Sequence, residues 1–309
     1  MRHAYIKEPY VNQNDINKVK MTIDLIQQPQ IWQLLMEASP DRLAAMAFSP
    51  YENHSMIFKE ILYDGEEGEL HRMENTIYDN PLLLADFSKV TMLYDTLRVL
   101  PVPDAGDEVA QAIFRNVYPA QDMPGSEVIV NRIPEMNMAI CSEIPGDTLN
   151  FLRRTFPCIR IEHPLAPLCR YFRAKHPVRR HGKTLANLRG KRLDIIILGD
   201  NAPLMVASHR IEEPMDAVYY ILASRENLRL PDTDEIMISG DRTIRAAITP
   251  VLRRYVRYVM PAIFPSVMFR AGRASLSAPF ELIVAPLVAP SAEGAGNAPH
   301  KTKNTETCE

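Results

Sequence analysis

Apolar and polar positions alternate in short runs before any helical period appears. Residues 32–38, 43–49 and 55–63 are three short, partly alternating apolar segments, the pattern of half-buried strands. Ser39-Pro40-Asp41 and Pro50-Tyr51-Glu52-Asn53-His54 separate them, and both separators are rich in turn residues. Strands this close in sequence must run antiparallel, because a parallel connection needs about a dozen residues or more. The period then changes. Residues 69–87 read as a helix that Pro81 interrupts. Residues 89–94 (KVTMLY) read as a buried strand and 97–102 as another, with a helix over 107–118. A hairpin over 128–133 and 137–142 follows, then a helix over 147–156, a strand over 158–162 and a helix over 164–175. Ahead of all this, residues 1–30 are a polar N-terminal extension with one short helix near 16–26.

Between Arg170 and Arg192 the chain carries nine Lys or Arg residues and no acidic one. His176, Pro177, His181, Gly182 and Gly190 break up this stretch, which places a domain boundary there. The opening pattern then returns. Residues 192–198 (RLDIIIL) read as a strand, Gly199-Asp200-Asn201 as a hairpin turn, and 203–210 as the partner strand. A helix over 214–227 starts on a favourable proline. Strands over 235–239 and 255–260 flank a helix over 241–254, and a last apolar run covers 280–288. Residues 289–309 are poor in apolar side chains and are expected to be disordered. Two α/β halves follow, at 31–178 with an insertion near 97–142 and at 190–288, each a mixed sheet with helices packed on it.

Composition narrows the chemistry. Glycine is scarce, 12 residues in 309, about 4% against a usual 7% or so. No GxGxxG or Walker A motif is present, so the standard dinucleotide and P-loop sites, which need backbone without Cβ, are excluded. Cys141, Cys158, Cys169 and Cys308 have no C-x-x-C spacing, which predicts reduced, intracellular thiols. A net charge of −3 gives no overall reason to expect nucleic acid or a membrane surface as partner. With no apolar leader and no run long enough for a bilayer span, the expected location is cytoplasmic.

The run 193–201 (LDIIILGDN), the hairpin and helix after it, and Glu235-Ile236-Met237-Ile238-Ser239-Gly240-Asp241 resemble the actin, sugar-kinase and heat-shock-chaperone superfamily. Tyr219-Tyr220-Ile221-Leu222, Ser239-Gly240 and Pro279-Phe280-Glu281-Leu282-Ile283 resemble, more closely, an uncharacterised bacterial family found mostly in Bacteroidetes. The resemblance covers roughly residues 30 to 290. It implies an α/β, actin-like ATPase fold of two ribonuclease-H-like subdomains, and it carries no activity with it.

The superfamily's nucleotide motifs can be sought residue by residue. The first phosphate hairpin would match Ser39-Pro40-Asp41 or residues 49–53, neither with a glycine. The second would match Leu198-Gly199-Asp200-Asn201, with one glycine and no Thr. The adenosine motif would match Gly240-Asp241, whose carboxylate repels phosphate. Gly199, Asp200, Asn201, Gly240 and Asp241 are therefore candidates for a degenerate nucleotide cleft. Asp200 also suits a hairpin turn and Asp241 a helix N-cap. Asp194 reads as an edge or surface position.

Arg179, Arg180 and Lys183 in the basic stretch are candidates for an RNA contact. The plainer reading is a solvated linker whose cations pair with the chain's own carboxylates. Histidine spacing gives no metal site. Ser208-His209 and Cys158 with His163 lack a nucleophile elbow, which favours structural roles. The leading expectation is a non-catalytic binding or scaffold protein on a degenerate actin-like fold. Its partner, a protein or a small ligand, would sit in the interdomain cleft or on the insertion. Kinship with pilus-assembly and cell-division actin relatives favours a protein partner. No cofactor is expected. A divergent ATPase or kinase using ATP and magnesium is one alternative, and an RNA-associated protein using residues 170–192 is another.

Overall fold

Two five-stranded sheets with the same internal order organise the chain. A computed structural model describes residues 26, 28–176, 182–199 and 203–288. In the first sheet, β1 (Gln33–Ser39), β2 (Arg42–Phe48) and β3 (Ile57–Leu62) form an antiparallel meander. Parallel strands β4 (Lys89–Tyr94) and β8 (Arg160–Glu162) extend it in the order β3-β2-β1-β4-β8. The second sheet repeats this as β11-β10-β9-β12-β13, from β9 (Lys183–Arg189), β10 (Arg192–Leu198), β11 (Pro203–Arg210), β12 (Ile236–Gly240) and β13 (Val259–Pro261). A third, antiparallel sheet of β5 (Val99–Pro103), β7 (Met138–Pro145) and β6 (Ser126–Ile133) is built from the expected insertion.

The strand β9 corrects the sequence reading. It lies inside the stretch read as a boundary, and RLDIIIL is the second strand of its sheet, not the first. Thr184 to Leu188 are all buried, and the cations Lys183 and Arg189 stand at the strand ends, where they reach Glu235 and Glu60. The basic stretch is thus largely wired into the fold. Arg170 pairs with Glu162, and Lys191 with Glu212.

Helices cover both sheets in layers. Helices α1 (Glu69–Tyr78) and α3 (Gly146–Thr155) pack Met73, Ile77, Leu149 and Leu152 on the face of the first sheet that shows Leu34, Met36 and Ala38. The expected long first helix stops at Tyr78, and Pro81 opens a short 3-10 turn, Pro81–Leu84, since proline cannot continue the hydrogen-bond ladder. Helix α2 (Asp107–Val117) covers the third sheet through Ala110 and Phe114. Helices α5 (Pro214–Asn227) and α6 (Arg242–Leu252) pack Ala217, Ile221, Ile248 and Leu252 against Leu193, Ile195 and Ile197.

The opposite faces of the two sheets share an inner layer. Helix α4 (Leu165–Lys175) packs Leu168 and Phe172 on Leu185, Ile196 and Leu198. After the short α7 (Ser266–Phe269) comes α8 (Phe280–Val284), which resolves the last apolar run as a helix. It touches both sheets: Phe280 and Val284 join the cluster of the second, and Leu282 and Ile283 join Leu35, Met46 and Leu93 of the first. Strict alternation along the strands makes this two-sided burial work.

Four expectations fall on undescribed positions: the helix near 16–26 (Ile26 apart), the tail 289–309, the turn residues Asp200 and Asn201, and the RNA candidates Arg179 and Arg180. Cys141 and Cys169 are free and buried. Among the described residues, no helix is long and apolar enough to cross a membrane.

Candidate functional site: the cleft between the sheets

Matching strand orders place two tight turns at equivalent positions. Pro40-Asp41 joins β1 to β2, with Ser39 paired to Arg42. Gly190-Lys191 joins β9 to β10, with Arg189 paired to Arg192. The two turns face each other across one cavity of about 580 Å³, within the usual range for small-ligand sites. Tyr94, Thr96, Leu97 and Met123 extend its wall.

This geometry reassigns the sequence candidates. Gly199 follows β10, a seven-residue strand, and so lies about 20 Å from the cleft turn at that strand's other end. It is buried, and it does not line the cavity. The turn that faces the cavity is Gly190-Lys191. Of the two alternatives for the first hairpin, Ser39-Pro40-Asp41 faces the cavity, whereas residues 49–53 follow the far end of β2. Gly190 adopts φ +55°, and a Cβ there would meet only an Arg42 nitrogen at 3.5 Å, an ordinary contact. The turn's left-handed backbone therefore accounts for this glycine. Gly240 has φ +87°, and a Cβ there would lie 1.8 Å from the Leu188 carbonyl oxygen. Its role is close packing of β12 on β9. Asp241 caps α6, accepting from the Thr243 and Ile244 N–H groups at 2.8 and 3.3 Å, the helix-cap role that its position allowed. Lys183 pairs with Glu235 at 2.6 Å. Arg179 and Arg180 lie outside the described residues.

Charged side chains from both halves converge on the cleft floor. Arg192, 3% exposed, places Nη1 2.5 Å from Asp95 Oδ1, Nε 3.0 Å from Asp194 Oδ2 and Nη2 3.1 Å from Glu281 Oε1. Glu37 on β1 lies 3.6 Å from both Arg192 and Arg189. Its two carboxyl oxygens are buried without a hydrogen-bond partner. Arg189 and Arg42 both reach Glu60 Oε1, at 3.1 and 2.8 Å. Asn187 donates to Glu281 and accepts from Ser239 Oγ, and Ser39 Oγ donates to Asp95. Asp194 is correspondingly buried and bonded to Ser208, which corrects its reading as an edge position.

Protonation follows from burial and neighbours. Burial, reinforced by Glu281, pushes the Glu37 carboxyl well above the usual carboxylate range, favouring the neutral acid. Burial also raises Asp194, against the pull of Arg192. At Asp95 burial is outweighed by the Arg192 guanidinium, which holds the carboxyl below its ordinary value. His163, fully buried, is pushed down to about 4 by burial and by Arg192. As a neutral ring it accepts from the Leu165 N–H at Nδ1 and contacts the Thr96 carbonyl through Nε2 at 2.9 Å. Its role is structural, and His209 is likewise stacked on Tyr220 at 4.4 Å.

A nucleotide triphosphate with magnesium fits these residues poorly. Where backbone amides would hold phosphate there is one glycine, and the strand ends beside it carry Arg189 and Arg192, whose charges the protein's own carboxylates occupy. Asp95 and Glu281 on the floor beneath already take up the Arg192 charge that an added phosphate would need. Among the described residues no group of three His, Cys, Asp or Glu is placed to hold a metal ion. The sequence did carry a signal for this network: charges within apolar runs, Glu37 in LLMEAS, Arg192 and Asp194 in RLDIIIL, and Glu281 in PFELIV. Buried charges of that kind need partners.

A family model described as "Protein of unknown function (DUF3822)" matches residues 22–259. Among solved structures, a Bacteroides thetaiotaomicron protein with an actin-like ATPase fold and unknown function is similar at 20% identity. That match covers 78% of this chain and 94% of that one, with a TM-score of 0.68. A PilM-PilN type IV pilus biogenesis complex is similar at 10% identity, over 84% of this chain and 98% of that one, with a TM-score of 0.48. The cytoplasmic domain of EpsL, an inner membrane component of the Vibrio cholerae type II secretion system, is similar at 10% identity, over 81% and 97%, with a TM-score of 0.42. No curated protein matches the chain. The fold is the actin-like ATPase fold.

Proposed function

The chain belongs to the DUF3822 family, whose function is unknown, and we propose that it is a non-catalytic binding protein on an actin-like fold. The cleft between its halves would receive a partner segment or a small ligand. One observation carries this reading. Arg192 of the second sheet is held by Asp95 and Glu37 of the first and by Glu281 of α8. The protein's own ion pairs thus join the halves at the position where a phosphate-binding member of the fold would use backbone turns and a bound nucleotide. Asp41 and Asp95, carboxylates that line the cavity, are held by Arg42 and Arg192, which supports binding over turnover.

The open cavity of about 580 Å³ between the paired turns favours a second reading, a divergent ATPase or kinase. Calorimetry with ATP and magnesium separates the two. The binding-protein reading expects no saturable heat. A dissociation constant tighter than about 100 µM, near −5.5 kcal/mol, would establish the ATPase reading in its place. The RNA reading rested on residues 170–192, and Lys183, its one described candidate, is engaged with Glu235.

A further inference from the structure

A run of arginines without carboxylate partners lies elsewhere on the molecule. Between residues 242 and 258, α6 and the segment after it carry Arg242, Arg245, Arg253, Arg254 and Arg257 and no acidic residue, in a chain of net charge −3. None of the five is within ion-pair distance of a carboxylate among the described residues, unlike Arg42, Arg189 and Arg192 in the cleft; Arg253 Nη2 donates to the Val259 carbonyl at 3.2 Å. Arg245 is half-buried and the other four are exposed. Eleven residues are close to three helical turns, so Arg242 and Arg253 lie on one stripe of the helix. Ala246, Ala247 and Pro250, exposed beside them, present no bulk that would hold a flat surface away. Asp241, just before the stretch, spends its carboxylate on the helix cap.

The same edge leaves large apolar groups uncovered. Tyr255 is 61% exposed and Ile263 66%, with Tyr258 and Met260 also open to solvent. Arg257 lies over the Tyr258 ring at 5.5 Å. Strand β13 is the last strand of its sheet. Unpaired arginines beside tyrosines and aliphatic side chains complement an interface that is anionic outside and apolar beneath. A nucleic acid would reward the arginines and the rings, but not Met260 and Ile263.

We propose that the edge formed by residues 253–263, together with the arginine stripe of α6, docks on the surface of an anionic lipid bilayer. The arginines meet the headgroups, and Tyr255, Met260 and Ile263 enter the boundary below them. The test is co-sedimentation of the full chain with vesicles of phosphatidylcholine plus phosphatidylglycerol, against phosphatidylcholine alone. The chain is expected to sediment with the anionic vesicles only, less so as salt screens the headgroups. Arg254→Glu with Arg257→Glu is expected to lower the partition at least about tenfold, and Ile263→Ser several-fold. These side chains are exposed, so thermal melts should match the wild type. Arg242→Gln with Arg253→Gln is a second pair should the first not fold. Absence of binding at low salt, equal binding to neutral vesicles, or undiminished binding by the charge-reversed chain would overturn the proposal. So would complete displacement by single-stranded RNA with Ile263→Ser unaffected, an outcome that marks the edge as a nucleic-acid surface.

Discussion

Arg192 and Asp95 form an ion pair across the cleft floor, Nη1 to Oδ1 at 2.5 Å, although 97 positions separate them in the chain. Arg192 is 3% exposed and answers to carboxylates from β1, β10, α8 and the end of β4. Removing one partner of a buried ionic cluster leaves the others charged and unsolvated, which costs about 3–5 kcal/mol. Arg192→Met should lose about that much stability in urea titrations at neutral pH. Arg192→Lys, which keeps the charge and loses the planar fork, should recover part of it. A loss under about 1 kcal/mol for the Met variant would falsify the cluster's structural role.

Glu37 gives the opposite pH signature. Its folded carboxyl titrates well above its ordinary value, so the folded state binds this proton more tightly than the unfolded chain. The wild type therefore loses stability as pH rises from the unfolded value of about 4.3 toward the folded one. Glu37→Gln has no such proton to lose. Chemical denaturation of both chains across pH should show near-equal stability at the acid end and a growing advantage for the Gln variant as pH rises. A constant difference at every pH would remove Glu37 from the account.

Two glycines separate turn geometry from packing. Gly240→Ala places a Cβ 1.8 Å from the Leu188 carbonyl oxygen at φ +87°, which forces β12 away from β9. The expected loss is more than about 3 kcal/mol, in the range of severe backbone and packing defects. Gly190→Ala meets only Arg42 at 3.5 Å and should cost about 1–2 kcal/mol, the strain of a left-handed residue. Equal losses in thermal or urea unfolding would contradict the distinction drawn between them.

Asp241 is a cap with two backbone donors. Asp241→Ala should cost about 1 kcal/mol, and Asp241→Asn, which keeps the accepting oxygen, much less. If the two variants match in stability, the carboxylate acts through something other than the cap.

The fold was largely legible because its strands obey alternation and its turns are written in Pro, Gly and Asp. The meander at 32–63, the insertion and the repeat of strand order all follow from those signals. One strand was not legible. In β9, Lys183, Asn187 and Arg189 interrupt the apolar period, and their partners Glu235, Glu281 and Glu60 are distant in sequence. Reading β9 as linker shifted the second half by one strand and carried the candidate turn from Gly190 to Gly199. The floor network was hidden for the same reason. A charge in an apolar run signals a buried pair but does not say with whom, because Arg192 meets Asp95 and Glu281 only once both sheets are in place.

Helix α8 has a consequence for how the chain is made. Its five residues complete the apolar layer of both sheets, and Glu281 supplies contacts to Arg192 and Asn187. During synthesis, the first sheet, complete at Glu162, emerges well before residues 280–284, and the second, complete at Pro261, also precedes them. Until then Arg192 and Asn187 lack Glu281, and Leu35 and Met46 lack the side chains that cover them. Neither half can mature alone in order of translation, and a chain cut before Phe280 would be incomplete in both places at once.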